Sequence, residues 1–337
     1  MSTGDPAPLR IGVLEAARIS GQALLQPALD IAGVEVVAIA ARDRSRARAQ
    51  ADAFGVARVH DSYSALLTDP DVDAVYIPLP INLHHEWTLA AIESGKHVLC
   101  EKPFASNADE AVAMVAAAAA ADRVLVEAFH WRYHPLADRL RQILDSGTLG
   151  PIHSIDAGFT MPIEPDDEVR QSWELSGGAL MDLGCYPVQW VRFAAAGEPI
   201  VTAATMVQGR PDVDVVTEIS LGFANGIEAR VRTAMDAETG RASWLHVSGA
   251  EGFLRVVNPV APHLDHEVVI GTSRGTTSEQ VQGRSTYHHQ LEAFVGAVVD
   301  GRPVPTGGVD AIANMRVIDA AYRVAGLEPR GLRRTAE

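Results

Sequence analysis

The sequence predicts an α/β protein in two parts: a doubly wound parallel sheet, then an α+β unit with a mostly antiparallel open sheet. Three observations carry this. Between residues 9 and 126, short unbroken apolar runs alternate with helical patterns, as in βαβ units whose sheet is covered on both faces. Between 200 and 257, strand-like runs are separated by turn signals at Asn225-Gly226, Glu238-Thr239-Gly240 and Ala250-Glu251-Gly252, which favours antiparallel neighbours. The length of 337 residues suits two domains, divided as 1–128 and 129–337.

In order, strands are expected at 9–14, 34–41, 56–60, 73–79, 97–100 and 124–126. Helices are expected up to Ile31 and at 45–54, 62–67, 82–94 and 107–121. The aromatic and ionisable stretch Glu127-Ala128-Phe129-His130-Trp131-Arg132-Tyr133-His134-Pro135 is the crossing between domains. Beyond it come a helix at 136–144, a strand at 152–161, a polar loop at 162–170 that can line or cover a site, and a helical stretch at 177–193. Closing helices are expected at 287–299 and 309–325, the latter packing back on the first domain.

Composition excludes several classes. A net charge of -15 argues against a nucleic-acid or anionic-membrane surface. No run of about 18 or more apolar residues is present, and the first ten residues lack a signal-peptide pattern. Cys100 and Cys185 are the only cysteines, each in an apolar pattern, so buried reduced thiols and a cytoplasmic location are expected. The histidines (His84, His85, His130, His134, His288, His289 among them) form no metal-ligand spacing, so no metal is expected.

The chemistry gathers around Glu101-Lys102-Pro103-Phe104. Lys102 follows a buried-strand pattern at the carboxyl edge of the predicted sheet, where open α/β sheets bind ligands. Pro103 restricts the backbone of Lys102 and so aims it. The first strand-to-helix turn, where a dinucleotide pyrophosphate would rest, offers Gly12 but then Glu15 in place of a glycine, followed by Ala16 and Ala17. Glu15 is unfavourable there unless it points outward or pairs with Arg18. At the end of the second strand an acid would bind ribose hydroxyls; this chain has Arg42, with Ser45 and Arg46 nearby, which suits a 2′-phosphate and so NADP over NAD. In the second domain Asp182 and Tyr186 are four residues apart and share a helix face. A lysine beside a phenol stabilises phenolate, so Lys102 is expected to lower the pKa of Tyr186. Arg170 and Trp173, in the loop before Gly177-Gly178, are candidate substrate-site walls.

Glu101-Lys102-Pro103, Ala41-Arg42-Asp43-Arg44-Ser45, the strand ending at Pro78, and the stretch from Gly177-Gly178 through Asp182 to Tyr186 together resemble the Gfo/Idh/MocA family of oxidoreductases over nearly the whole chain. The resemblance implies a Rossmann first domain and a catalytic set of Lys102, Asp182 and Tyr186 around the carbon that exchanges hydride with nicotinamide. It implies cofactor contacts at Gly12, Ala17, Arg18, Ile19, Arg42, Ser45, Arg46, Pro80, Asn82, His84, Glu101 and Lys102, and substrate contacts at Arg170, Trp173, Asp182 and Tyr186. Two positions depart from the family pattern: Glu15 replaces a glycine, and Ile81 replaces an asparagine, with Asn82 next to it. The expected activity is NADP-dependent hydride transfer to or from a secondary alcohol or hemiacetal of a sugar, cyclitol or dihydrodiol. A homodimer or homotetramer is expected through an apolar face of the C-terminal sheet. The alternatives are a sugar epimerase or eliminase without net redox, and a cofactor-free binding or regulatory protein on the same fold.

Overall fold

The computed structural model describes residues 7–163 and 169–331; the middle of the polar loop expected at 162–170 lies outside the described residues. The first sheet contains β1 (Leu9–Leu14), β2 (Val34–Ala40), β3 (Arg58–His60), β4 (Ala74–Ile77), β5 (His97–Cys100) and β6 (Leu125–Glu127). All run parallel in the order β3-β2-β1-β4-β5-β6, the doubly wound arrangement. Their connections are a π-helical turn (Gly21–Leu25) continuing into α1 (Gln26–Asp30), then α2 (Arg44–Phe54), α3 (Tyr63–Leu67), α4 (His84–Glu93) and α5 (Ala108–Ala120). Asp43 and Asn107 cap α2 and α5 by accepting two backbone N–H groups each, satisfying donors that a helix start leaves open.

The unbroken apolar runs are explained by burial on both faces. Val13, Ile39, Tyr76, Leu99 and Val126 lie side by side in register across five strands and share one core. That core is closed by α8 (Thr286–Asp300), a helix of the C-terminal part, through the buried Leu291 and Phe294. The opposite face packs against α3, α4 and α5, and α9 (Gly308–Val324) lies on α5. Both closing helices therefore pack on the first sheet's layers, where only the second was expected to. Periodicity reveals a helix's apolar face but not the partner of that face.

The second part begins with a 3₁₀ turn (His130–Tyr133) and α6 (Pro135–Asp145), and has a π-helical segment (Leu180–Gly184) running into α7 (Cys185–Ala195). Its sheet comprises β7 (Ile152–Thr160), β8 (Pro199–Arg210), β9 (Val213–Phe223), β10 (Glu228–Ala234), β11 (Ala242–Gly249), β12 (Gly252–Val257), β13 (Glu267–Thr272) and β14 (Gly275–Glu279). The order is β14-β13-β12-β11-β7-β10-β9-β8, antiparallel except for β7 beside β10. The hairpin β13–β14 was not anticipated; β14 is largely exposed and lacks an apolar alternation. The inner face buries Ile155, Ala157, Val231, Leu245, Val247 and Leu254 beneath α7. The outer face, where an apolar surface was expected, is mixed: it exposes Asp156, Glu218, Arg230, Arg232 and Arg255 beside Ile200, Val207 and Val257. Alternation sends successive side chains to opposite faces, so charged residues flank buried ones along β7 and β10.

One buried ion pair ties these layers together. Arg330 and Asp214 are both 0 % exposed, with Arg330 Nη2 donating to Asp214 Oδ1 at 2.9 Å. Asp214 also accepts from Leu180 N, Thr217 Oγ1 and Tyr322 Oη, while Arg330 Nε donates to Gly177 O and the Arg330 carbonyl accepts from Asn107 on the first domain's side. Removing one partner of a buried pair leaves an uncompensated charge. Arg330→Ala is therefore expected to lower the unfolding free energy by about 3–5 kcal/mol. Urea denaturation checks this; a loss below about 1 kcal/mol, the scale of an exposed pair, would contradict it.

Candidate active site

β5 delivers Lys102 to the crevice at the carboxyl edge of the first sheet, across a cis Lys102–Pro103 peptide. Glu101 is buried, accepts the Tyr76 hydroxyl at 2.6 Å and takes the Lys102 backbone N–H at 3.2 Å, so it fixes the backbone that carries the lysine. His84, expected at the cofactor, is instead 1 % exposed, with its ring nitrogens 2.9 Å from Leu79 O and 3.0 Å from Pro103 O. It braces the same loop from behind.

The opposing wall comes from the second part. A side chain on Gly177 or Gly178 would collide with Arg170 O or Asp214 Oδ1, and Gly178 has φ +133, so only glycine lets the chain enter the π-helical segment here. That segment sets Asp182 against Lys102: Nζ donates to Asp182 Oδ1 at 3.0 Å and to Asp182 O at 2.8 Å. Arg170 Nε donates to Asp182 Oδ2 at 2.7 Å. Burial opposes the Asp182 charge, but Lys102 and Arg170 outweigh it and hold the carboxyl at about 2. Burial likewise opposes the Lys102 charge, and Asp182 overrides it, keeping the ammonium above its ordinary value. Trp173 does not join this group; its ring packs on the buried Arg330 guanidinium, 4.5 Å away.

Tyr186 sits one turn on, 3 % exposed, with Lys102 Nζ 5.2 Å from its ring centroid. Its hydroxyl, however, is 2.8 Å from His130 Nε2, and His130 Nδ1 is 2.8 Å from Thr286 Oγ1. The expected lowering of the phenol's pKa is not found. Burial, reinforced by Tyr287, Cys185, Glu101 and Asp182, holds it well above its ordinary value. The lysine's charge is already compensated by Asp182. His130 and Thr286 are the site residues that sequence reasoning missed. The crossing stretch that holds His130 was singled out, but no sequence spacing links it to Tyr186 or to α8. Tyr287 stacks on His130 at 4.2 Å between centroids and also lines a cleft of about 660 Å³ between the first helix and the start of α8.

At the first turn the structure revises several expectations. Gly12 is an interior strand residue, and a Cβ there would meet Leu66 Cδ2 at 2.5 Å, so packing against α3 also favours the glycine. Glu15 has φ 99, a region that costs a non-glycine residue about 1–3 kcal/mol. It does not pair with Arg18, which is exposed. Its carboxylate turns inward, accepting Ala16 N–H and the Tyr63 hydroxyl, and lies 3.8 Å from Arg42 Nε. Arg46 donates one N–H to Ala16 O at 2.8 Å and Ser45 Oγ donates to Asp43 at 2.6 Å, and both side chains are exposed at the end of β2. Ala17 and Ile19 are half-buried in this turn, and Pro80 precedes the short helical turn that holds Asn82. Ile81 is buried in the core.

These residues fit a dinucleotide. The turn is lined by small Ala16 and Ala17, Arg42 exposes 77 % of its side chain at the end of β2, and Asn82 Oδ1 is a buried oxygen with no hydrogen-bond partner among the described residues, at the carboxyl end of β4. The described residues contain no group of His, Cys, Asp and Glu able to hold a metal ion, and no helix long and apolar enough to cross a membrane.

A lysine–carboxylate–phenol group facing such a crevice across two domains defines a dinucleotide-dependent oxidoreductase. Comparison with known proteins narrows this. The model of an oxidoreductase family with an NAD-binding Rossmann fold matches residues 9–129, and that of the GFO/IDH/MocA C-terminal domain matches 137–255. The chain belongs to the Gfo/Idh/MocA family of oxidoreductases. It is 36% identical over 324 residues to D-xylose 1-dehydrogenase (NADP(+)) 2 of Haloferax volcanii, covering 94% of this chain and 97% of that one. It is 33% identical over 318 residues to dTDP-3,4-didehydro-2,6-dideoxy-alpha-D-glucose 3-reductase of Actinomadura kijaniata, covering 93% and 94%. Among solved structures it is similar to KijD10, a 3-ketoreductase from Actinomadura kijaniata in complex with NADP and TDP-benzene, with a TM-score of 0.88, 29% identity and coverage of 94% and 97%.

The buried histidines give the protein a pH signature. Burial lowers His84 from 6.5 to about 4 and His130 to about 3. Between those values and 6.5 the unfolded chain binds protons that the folded one does not. Their contribution is therefore complete above about pH 6.5 and is lost as the pH falls through 4 and then 3. Denaturation midpoints measured from pH 7 to 4 are expected to fall with acidity, and His84→Gln should flatten the slope by about one proton. A His84→Gln profile parallel to the wild type's across that range would contradict the burial of the His84 ring.

Proposed function

We propose that this protein is an NADP-dependent dehydrogenase that transfers hydride between nicotinamide and a secondary alcohol or hemiacetal carbon of a sugar, cyclitol or dihydrodiol. The observation that carries it is the meeting of Lys102, Asp182 and Tyr186 from two domains at the carboxyl edge of a dinucleotide-type sheet. The similarity to D-xylose 1-dehydrogenase (NADP(+)) 2, to the dTDP-sugar 3-reductase and, at 31% identity over 250 residues, to trans-1,2-dihydrobenzene-1,2-diol dehydrogenase of Xenopus laevis supports the carbohydrate and diol class and NADP.

NADP, when bound, supplies the hydride acceptor. Arg42 would meet its 2′-phosphate, and Asn82 and the Ala16–Ala17 turn its remaining polar groups. Asp182, ionised and clamped by Lys102 and Arg170, holds the ammonium where it can bind the substrate oxygen. As a C–H hydride leaves the alcohol carbon, its O–H proton must leave the oxygen. Tyr186 Oη takes that proton as it passes its own hydroxyl proton to His130 Nε2, and the reverse relay serves reduction. With its own hydrogen directed at His130, the phenol oxygen keeps a lone pair for the substrate hydroxyl. His130 and Thr286 hold the phenol in that orientation.

The test is incubation of the purified protein with NADP and a panel of pentoses, hexoses, cyclitols and diols, following NADPH absorbance. Turnover with one class is expected, and Lys102→Ala and Tyr186→Phe should each reduce kcat/KM by about 10²–10⁴-fold. Conversion of a substrate without any NADPH would favour the reaction without net redox instead. Unaltered kcat/KM in both variants would remove the assigned roles.

A further inference from the structure

We propose that Glu15 sets the cofactor discrimination of this enzyme, accepting a ribose hydroxyl of NAD(H) and opposing the 2′-phosphate of NADP(H), so that NADP(H) is preferred by only a narrow margin. The proposal rests on the dehydrogenase reading and deepens it.

Four features of the structure lead there. An NAD-type site has a carboxylate at the end of β2 to accept the ribose hydroxyls. This chain has Ala41 and Arg42 there instead, which alone would read as a phosphate site. The missing carboxylate is restored from a neighbouring strand. Glu15 follows β1, its N–H bonds to Ala40 O at 2.7 Å, and its side chain crosses to the end of β2, where Oε2 is 3.5 Å from Arg42 N. The side chain is held there, 10 % exposed, by Tyr63 and by the N–H of Ala16. Oε1 accepts only the Ala16 N–H among the described bonds, which leaves it a lone pair for a hydroxyl.

The same placement weakens the phosphate side. Arg46 spends one N–H on Ala16 O and Ser45 Oγ bonds Asp43, while Arg42, its side chain 77 % exposed, presents its guanidinium at the end of β2. It is shared with Glu15 at 3.8 Å. A phosphate reaching Arg42 brings two negative charges close to a carboxylate that is shielded from water, where like charges repel more strongly than at the surface. A hydroxyl donor meets the same carboxylate favourably. Selectivity is the difference between these two terms.

The experiment is calorimetric titration of wild type, Glu15→Gln, Glu15→Gly and Arg42→Ala with NADPH and with NADH, with thermal melting of each apo protein as a folding control. Wild type is expected to bind the two within about tenfold of each other. Glu15→Gln keeps the shape and removes the charge, so it should tighten NADPH and weaken NADH, moving their ratio by about tenfold or more. Glu15→Gly should move the ratio the same way and melt at a higher temperature, because the positive φ no longer opposes a side chain. Arg42→Ala should weaken NADPH and spare NADH. If folded Glu15→Gln binds both dinucleotides with the wild-type ratio, Glu15 does not discriminate, while the dehydrogenase reading stands. If neither wild type nor Glu15→Gly binds either dinucleotide, the dehydrogenase reading falls and this proposal falls with it.

Discussion

The arrangement of this protein depends on a charge pair that water never reaches. Taking a guanidinium and a carboxylate out of water costs several kcal/mol per ion, and only excellent geometry with further hydrogen bonds offsets it. Asp214 meets that condition by accepting from Leu180, Thr217, Tyr322 and Arg330, and Arg330 by stacking between Trp173 and Tyr322 while bonding Gly177. The consequences spread outward. The chain must be glycine at 178 to pass the pair, the segment bearing Asp182 starts from a fixed point, and Asn107 at the head of α5 is bound to the Arg330 carbonyl. Both walls of the active site are thus referred to one node.

Within the site, the charges are arranged so that the lysine is cationic and the aspartate anionic at any working pH, and neither is used to deprotonate the phenol. Each is stabilised by the other against burial. Tyr186 is left neutral in an apolar surround of Phe129 and Phe159, with its hydroxyl aimed by His130. In the proposed reaction a neutral phenol can take the substrate's proton only by passing its own to His130, so the two side chains act as one relay. The site thus separates binding charge from proton transfer.

Much of the fold was legible in the sequence, for identifiable reasons. A parallel sheet buried on both faces leaves continuous apolar runs, and caps such as Asp43 and Asn107 mark where helices begin. The strands of the second sheet up to Val257 alternate clearly, whereas the exposed hairpin that follows does not. In the site, Lys102, Asp182 and Arg170 come together as the residues suggested, but His84 and Trp173 serve packing or bracing, because a residue's type cannot show which of its neighbours fills the space around it.

The sequence by itself determined the parallel sheet, the place of Lys102 at its edge, the pairing of Asp182 with Tyr186 on one turn, and the family resemblance, since each rests on local periodicity and short-range spacing. Only the tertiary structure decided that Asp182 rather than Tyr186 receives the lysine's charge, that His130 and Thr286 attend the phenol, that α8 closes the first sheet, and that Glu15 folds inward to Arg42. Those relations join residues that are tens to hundreds of positions apart. Their energies depend on burial and distance, which no local pattern encodes.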